Sequence, residues 1–234
     1  MVVAVSSVLY VMTLLASGRD VQIAGGGLSI LAPSGRSLLL FGMSGAYPVY
    51  VEGAWWTLLS ASWLHGNLLH ILFNMYWVRR LGPDAVELFG PARTVIVYTV
   101  GGAVGFLVSS TAGYLGVPIP LLHGASFTVG ASASILALLG AIAHYGHRGG
   151  SRLIRSQVTE LVVIFAVMGL LMPGTDNYAH AGGFLGGYAV AAALDPFARE
   201  RFSHLLLAAA CLGASALAVV LSLLHGALPL PSSL

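Results

Sequence analysis

The sequence predicts an all-α fold, a polytopic bundle of membrane helices, and three observations carry that prediction. Apolar residues make up 57% of the 234-residue chain and charged ones only 8%, against about a quarter charged in soluble domains. Mean hydropathy is +0.89. Seven apolar stretches of about spanning length follow one another with short connections, leaving no room for a second globular domain, so residues 1–234 read as one domain. The net charge of +2 is too small to point to nucleic acid. Cys211 is the single cysteine, so neither an intrachain disulfide nor a cysteine-based metal site is expected.

The first stretch, Val2–Ser17, lacks a basic leader and a clear small-x-small cleavage site, so it reads as a transmembrane helix rather than a signal peptide. Segment 18–62, with the triplet Gly25-Gly26-Gly27 and with Trp55 and Trp56 near its end, is expected to rest in the membrane interface. Further spans are expected at 64–78, 94–113, 129–145, 158–172, 179–194 and 204–224. Gly82-Pro83, Gly90-Pro91, Pro118 with Pro120, Pro173-Gly174 and Asp195-Pro196 punctuate their ends. Every basic residue is arginine. Arg79, Arg80 and Arg93, then Arg148, Arg152 and Arg155, then Arg199 and Arg201 fall on one side, and only Arg19 and Arg36 on the other. The bias of basic residues toward the inside makes the N-terminus cytoplasmic and the C-terminus external.

In this orientation the second, fourth and sixth spans run the same way, and each carries unusual polar residues at its start. They are His65, His70 and Asn74; Ser132 in Gly130-Ala131-Ser132-Ala133; and Asn177 and His180. Polar side chains are costly in a bilayer, about 2.5 to 3.5 kcal/mol for a charged one on insertion scales, so a shared layer of them near the external face points to pairing or function. His70 and Asn74, four apart, lie on one helical face. His180 is followed by Gly183 and Gly187, a spacing that lets another backbone approach closely, and the small start of the fourth span is a fitting neighbour. Taken singly, these glycines are ordinary packing, the Ser132 hydroxyl can bond back to its own helix, and His65 and His70 can be interfacial. His123, His144, His147, His204 and His225 read as interfacial or solvated ends.

Together, Ser132 and His180 read as a nucleophile and its base. A serine in the first turn of a helix faces free N–H groups and the positive dipole end, which favour an oxyanion. His180 can take the hydroxyl proton and return it to a leaving amine, with His70 and Asn74 as further donors to the intermediate. Asp176, four before His180, is either a third triad member or, more simply, a helix cap, as is Asn177. The reading is a Ser/His dyad. HExxH and a pair of intramembrane aspartates are both absent from the sequence, and nothing in it requires a metal or an organic cofactor.

On WLHGNLLHILFN with His65, His70 and Asn74, on the GxSx motif at Gly130 to Ala133, and on DNYAHAGG with the later Gly187, the chain resembles the rhomboid family of intramembrane serine proteases from about Trp56 to Gly187. The resemblance implies a rhomboid-like six-helix core over about 1–197 plus one C-terminal transmembrane helix at about 203–225. It implies Ser132 as nucleophile, His180 as base, and an oxyanion hole of the Ser132 N–H, His70 and Asn74, with His65, Asn177, Gly130, Gly183 and Gly187 supporting. The implied partners are transmembrane segments of membrane protein substrates, met within the lipid bilayer; oligomeric state stays open. No Arg-rich, Ser-rich transit peptide is present, so a cell membrane is the expected location, with the active site opening to the external face. Two positions depart from the family pattern: Leu136, four after the serine, where an aromatic is usual, and Thr57, where an arginine often follows the tryptophan. Two other readings remain, a rhomboid-like protein that binds transmembrane helices without cleaving them, and a transporter. The second predicts internal repeats or ionisable groups near the midplane, and the sequence offers neither.

Overall fold

The computed structural model describes residues 1–23, 30–117, 124–172 and 174–226. Gly25-Gly26-Gly27, Pro118, Pro120, His123 and Pro173 lie outside the described residues. The described helices are α1 (Val2–Ser17), α2 (Gly35–Leu40), α3 (Thr57–Ser60), α4 (Leu68–Phe89), α5 (Pro91–Ile96), α6 (Gly102–Tyr114), α7 (Ser132–Arg148), α8 (Arg152–Leu171), α9 (Asn177–Leu194) and α10 (Phe202–Gly226). A π-helical turn, Val97–Gly101, joins α5 and α6 into one rod. Every predicted apolar stretch thus coincides with a long helix, and the short α2 and α3 fall within segment 18–62.

One boundary needs correcting. Gly82-Pro83 does not end the second long helix, because α4 runs through it to Phe89. Leu81, Ala85 and Phe89 carry the buried stripe of Met75 and Trp77 onward at helical spacing. Their burial offsets the roughly 3 kcal/mol that an interior proline costs. The carbonyl that Pro83 leaves free belongs to exposed Arg79, where solvent or headgroups can satisfy it.

The outer helices are inverted amphiphiles. On α1 the buried residues are Ser6, Tyr10, Thr13 and Ser17, whereas Val5, Val8, Val11 and Leu15 are exposed. On α10 the buried stripe is Ala208, Cys211, Ser215, Ala218 and Ser222, with leucines outside. Small and polar residues inside with large apolar ones outside is the pattern expected where the surrounding solvent is lipid. Among the described residues four helices are long and apolar enough to cross a membrane: Val2–Asp20, Pro91–Tyr114, Arg152–Leu171 and Phe202–Gly226. The protein is a multi-pass membrane protein.

The centre is α7, buried on nearly all sides from Ala133 to Ile142. It packs against α6 and α9 through glycines. A Cβ placed on Gly183 or Gly187 of α9 would overlap the carbonyls of Ala133 or Ala137, and one on Gly140 would overlap Phe184. The pairings 133 with 183 and 137 with 187 require α7 and α9 to run parallel. Gly182 and Gly186 form a second row on α9 that meets Val108 and Val104 of α6, a descending order that makes α6 antiparallel to α9. Backbones approach this closely only where one partner has no side chain.

His144 lies in this central helix and is buried, 6% exposed, with its ring edge-on to Tyr188 at 4.9 Å. It is therefore not the interfacial or solvated histidine expected from sequence, because α7 is enclosed almost to its last turn. Arg93 is likewise buried, 4% exposed. Its guanidinium donates to the carbonyls of Phe89, Asp195 and Ala198, and its backbone N–H donates to the Glu200 carboxylate. This clamp fastens the α9–α10 connection to the α4–α5 corner. At the other end of α10, the Trp56 indole N–H donates to Ser222 Oγ at 3.0 Å, and His225 lies 3.6 Å from Glu52.

Candidate active site

Ser132 is the first residue of α7, and the chain ahead of it is fixed by backbone pairing. Ser44 and Thr128 exchange N–H···O bonds, Ala46 N–H donates to Ala125, and Gly130 N–H donates to Ala61. Gly130 has φ of +134, a conformation that side chains resist, which stops the helix from starting earlier. No side chain caps the N-terminus of α7. The Ser132 N–H therefore has no acceptor among the described residues, as an oxyanion donor requires.

His70 and Asn74 stand on the first turns of α4. Asn67 caps that helix, its Oδ1 accepting from the His70 N–H at 2.7 Å. The Gly66 N–H donates to His70 Nδ1 at 3.3 Å. In a neutral ring this leaves the proton on Nε2. That Nε2 faces Gly130 so closely that a Cβ there would come within 2.7 Å of it. Asn74, 2% exposed, donates one amide hydrogen to the His70 carbonyl at 2.8 Å, which leaves its second hydrogen to give. His65 is fully buried, with no hydrogen-bond partner for either ring nitrogen among the described residues, and packs edge-on to His70 with ring centroids 5.2 Å apart.

His180 lies in the first turn of α9, half-buried, three residues before the glycine that meets Ala133 beside Ser132. Among the described residues no hydrogen bond joins the Ser132 hydroxyl to the His180 ring. Substrate-free sites often hold such pairs apart, closing them only when substrate binds. Asp176 caps α9: one carboxylate oxygen accepts from Ala179 N–H at 2.9 Å and the other from Ser109 Oγ at 2.7 Å. With both oxygens engaged away from the imidazole, Asp176 acts as the cap. Asn177 is not a cap; its amide donates to the Gly169 carbonyl at 3.0 Å and ties α9 to α8.

Sequence reading missed four residues around the site. Phe165 of α8 is edge-on to His180 with centroids 6.5 Å apart, and is buried. Ser109 bridges Asp176 to the Ala125 N–H, coupling α9 to the segment before Ser132. Gly101 of the π-helical turn and Gly105 of α6 meet Ala137 and Ala179. Asn67, directly ahead of an apolar run, carried a readable cap signal; the other contacts are long-range and carried none.

Parallel helices that bring a serine, two histidines and an asparagine to one end of a glycine-packed core define a multi-pass membrane protein with a polar site set inside its bundle. The chain belongs to the rhomboid family: the Rhomboid domain matches residues 52–197. Among its relatives, RHOMBOID-like protein 4 of Arabidopsis thaliana is 32% identical over 163 residues, covering 68% of this chain and 39% of the relative. Rhomboid protease GluP of Bacillus subtilis (strain 168) is 29% identical over 170 residues, covering 69% and 31%. Rhomboid-like protease 1 of Toxoplasma gondii is 27% identical over 168 residues, covering 68% and 54%. The match spans about a third to a half of the length of these relatives.

Proposed function

We propose that the protein is an intramembrane serine endopeptidase that hydrolyses a peptide bond in or next to the transmembrane segment of membrane protein substrates. Membership of a family whose relatives include named proteases supports the reaction class. The observation that carries the residue assignment is the α7–α9 register, which brings the helix starts bearing Ser132 and His180 together while His70 Nε2 faces Gly130.

In this reading Ser132 Oγ attacks the scissile carbonyl carbon as His180 takes its proton. The Ser132 N–H, His70 Nε2–H and the free Asn74 amide hydrogen receive the oxyanion. Collapse of the tetrahedral intermediate breaks the C–N bond, and His180 delivers the proton to the departing amine. Water, activated by the same imidazole, then hydrolyses the acyl-enzyme. The site opens to the external face of a cell membrane, with the N-terminus cytoplasmic; the skewed arginine distribution supports this orientation.

The test is covalent labelling of the purified protein by a serine-directed fluorophosphonate, alongside Ser132→Ala and His180→Ala. Labelling of the parent, lost in both variants, is the expected result. A Ser132→Ala variant that labels as fast as the parent would overturn the assignment, and a folded parent that does not label would favour helix binding without cleavage.

A further inference from the structure

Two open crevices lie away from the site just described. The larger, about 530 Å³, runs between α4, α7 and α8. Its charged lining is Asp84, Glu87 and Glu160 against one arginine, Arg80, already paired with Asp84 at 3.1 Å. The smaller, about 350 Å³, lies where the last turns of α7, the first turns of α8 and the second half of α9 diverge. It has no carboxylate in its lining; its polar groups are Arg155, His147, Tyr188 and Thr159. Its size falls within the roughly 300 to 1,000 Å³ of small-ligand sites.

The smaller crevice is polarised along the bundle axis. Arg155 is in the first turn of α8 and His147 in the last turn of α7, so both sit at the same end of the bundle. From there Val158, Val162 and Val163 ascend one face of α8, opposite Phe184 of α9. Arg155 makes no ion pair among the described residues, whereas its neighbour Arg148 is engaged with Asp195 and the Phe197 ring. The Tyr188 hydroxyl and His147 Nδ1 lie 3.2 Å apart. With the hydroxyl as donor, His147 Nε2 carries an N–H toward an incoming acceptor.

We propose that this crevice binds an anionic phospholipid, its phosphate on Arg155 and His147 and one acyl chain along Val158, Val162 and Phe184. Charge complementarity selects the ligand: a cationic end without carboxylates suits an anionic headgroup, and a zwitterionic one would bring its own cation against Arg155. The continuous apolar wall selects a lipid over a soluble phosphate, which would leave that wall wet.

The experiment titrates the full chain, in a nonionic detergent, with dioleoylphosphatidylglycerol, dioleoylphosphatidylcholine or glycerol phosphate. Bound lipid is counted by native mass spectrometry and the unfolding midpoint is followed in parallel. Phosphatidylglycerol is expected to be retained and to raise the midpoint, while the other two do neither. Arg155→Gln should weaken retention about fivefold, and Val162→Trp, which fills the apolar half, should abolish it. Arg80→Gln, in the larger crevice, should leave it unchanged. Equal retention of the two lipids, a response to glycerol phosphate matching that to phosphatidylglycerol, or retention unchanged in Arg155→Gln would each overturn the proposal. Arg155 is exposed, so that variant remains informative if Val162→Trp misfolds.

Discussion

Replacing Gly183 by alanine adds one methyl group at the point where α9 touches α7. The new Cβ would lie 2.9 Å from the Ala133 carbonyl carbon and 3.2 Å from its Cα, with the carbonyl oxygen closer still, whereas ordinary contact begins at 3.4 Å. These are backbone atoms and cannot rotate away. The two helices must therefore separate by more than about half an ångström, an overpacking expected to cost about 1 to 3 kcal/mol. Ala133 is bonded to Ser132 and Gly183 is one turn from His180, so the separation also widens the proposed Ser132–His180 pair. Because about an ångström of misplacement can cost a hundredfold, fluorophosphonate labelling should slow by about ten- to a hundredfold. Gly213→Ala on α10 is the control: its Cβ meets nothing within 4 Å, and removing a helical glycine there should stabilise by roughly 0.5 to 1 kcal/mol without changing the labelling rate. If Gly183→Ala labels at the parent rate and unfolds at the parent midpoint, the tight α7–α9 contact does not position the proposed dyad.

Other consequences can be measured on the same preparations. Gly130→Ala places a Cβ 2.7 Å from His70 Nε2 and 2.8 Å from Cε1; displacing that donor should slow labelling by about a hundred- to a thousandfold, as loss of one oxyanion donor does, and an unaffected rate would remove His70 from the site. Arg93→Leu leaves the buried carbonyls of Phe89, Asp195 and Ala198 without their donor and should lower stability by about 2 to 4 kcal/mol, read by thermal unfolding. A tag appended after Leu234 should be cleaved by protease added outside intact cells, and a tag before Met1 should be protected; the opposite pattern would invert the proposed orientation.

The long helices were legible because a lipid-exposed helix needs an unbroken apolar run, and the connections carry glycine, proline and arginine. Pro83 was misleading: punctuation rules describe isolated segments, and here burial of Leu81, Ala85 and Phe89 carries the helix past it. The helix starts bearing Ser132, His180, His70 and Asn74 could be anticipated as one layer, since spacing along a helix and the direction of each span are both written locally. Spacing also hinted that Gly183 and Gly187 face a neighbour, and the structure makes that neighbour the Ala133 and Ala137 carbonyls. What the sequence withheld was contact between distant segments. Nothing around Phe165 marks it as the aromatic beside His180, and nothing around Ser109 announces a bridge to Asp176. In the sequence Arg93 is one more charge reporting topology; in the fold its donors are spent on carbonyls within the bundle.

That arginine also has a bearing on biogenesis. Two of its carbonyl acceptors and the carboxylate that holds its backbone lie more than a hundred residues downstream, in Asp195, Ala198 and Glu200. A nascent chain emerging from the ribosome presents the α4–α5 corner long before those groups exist. Unpaired arginine is costly within a bilayer, and until the α9–α10 connection arrives Arg93, in the first turn of α5, has only the Phe89 carbonyl of these partners. Closure of this corner is thereby tied to synthesis of the α9–α10 connection, and a chain truncated before residue 195 would carry Arg93 without those partners.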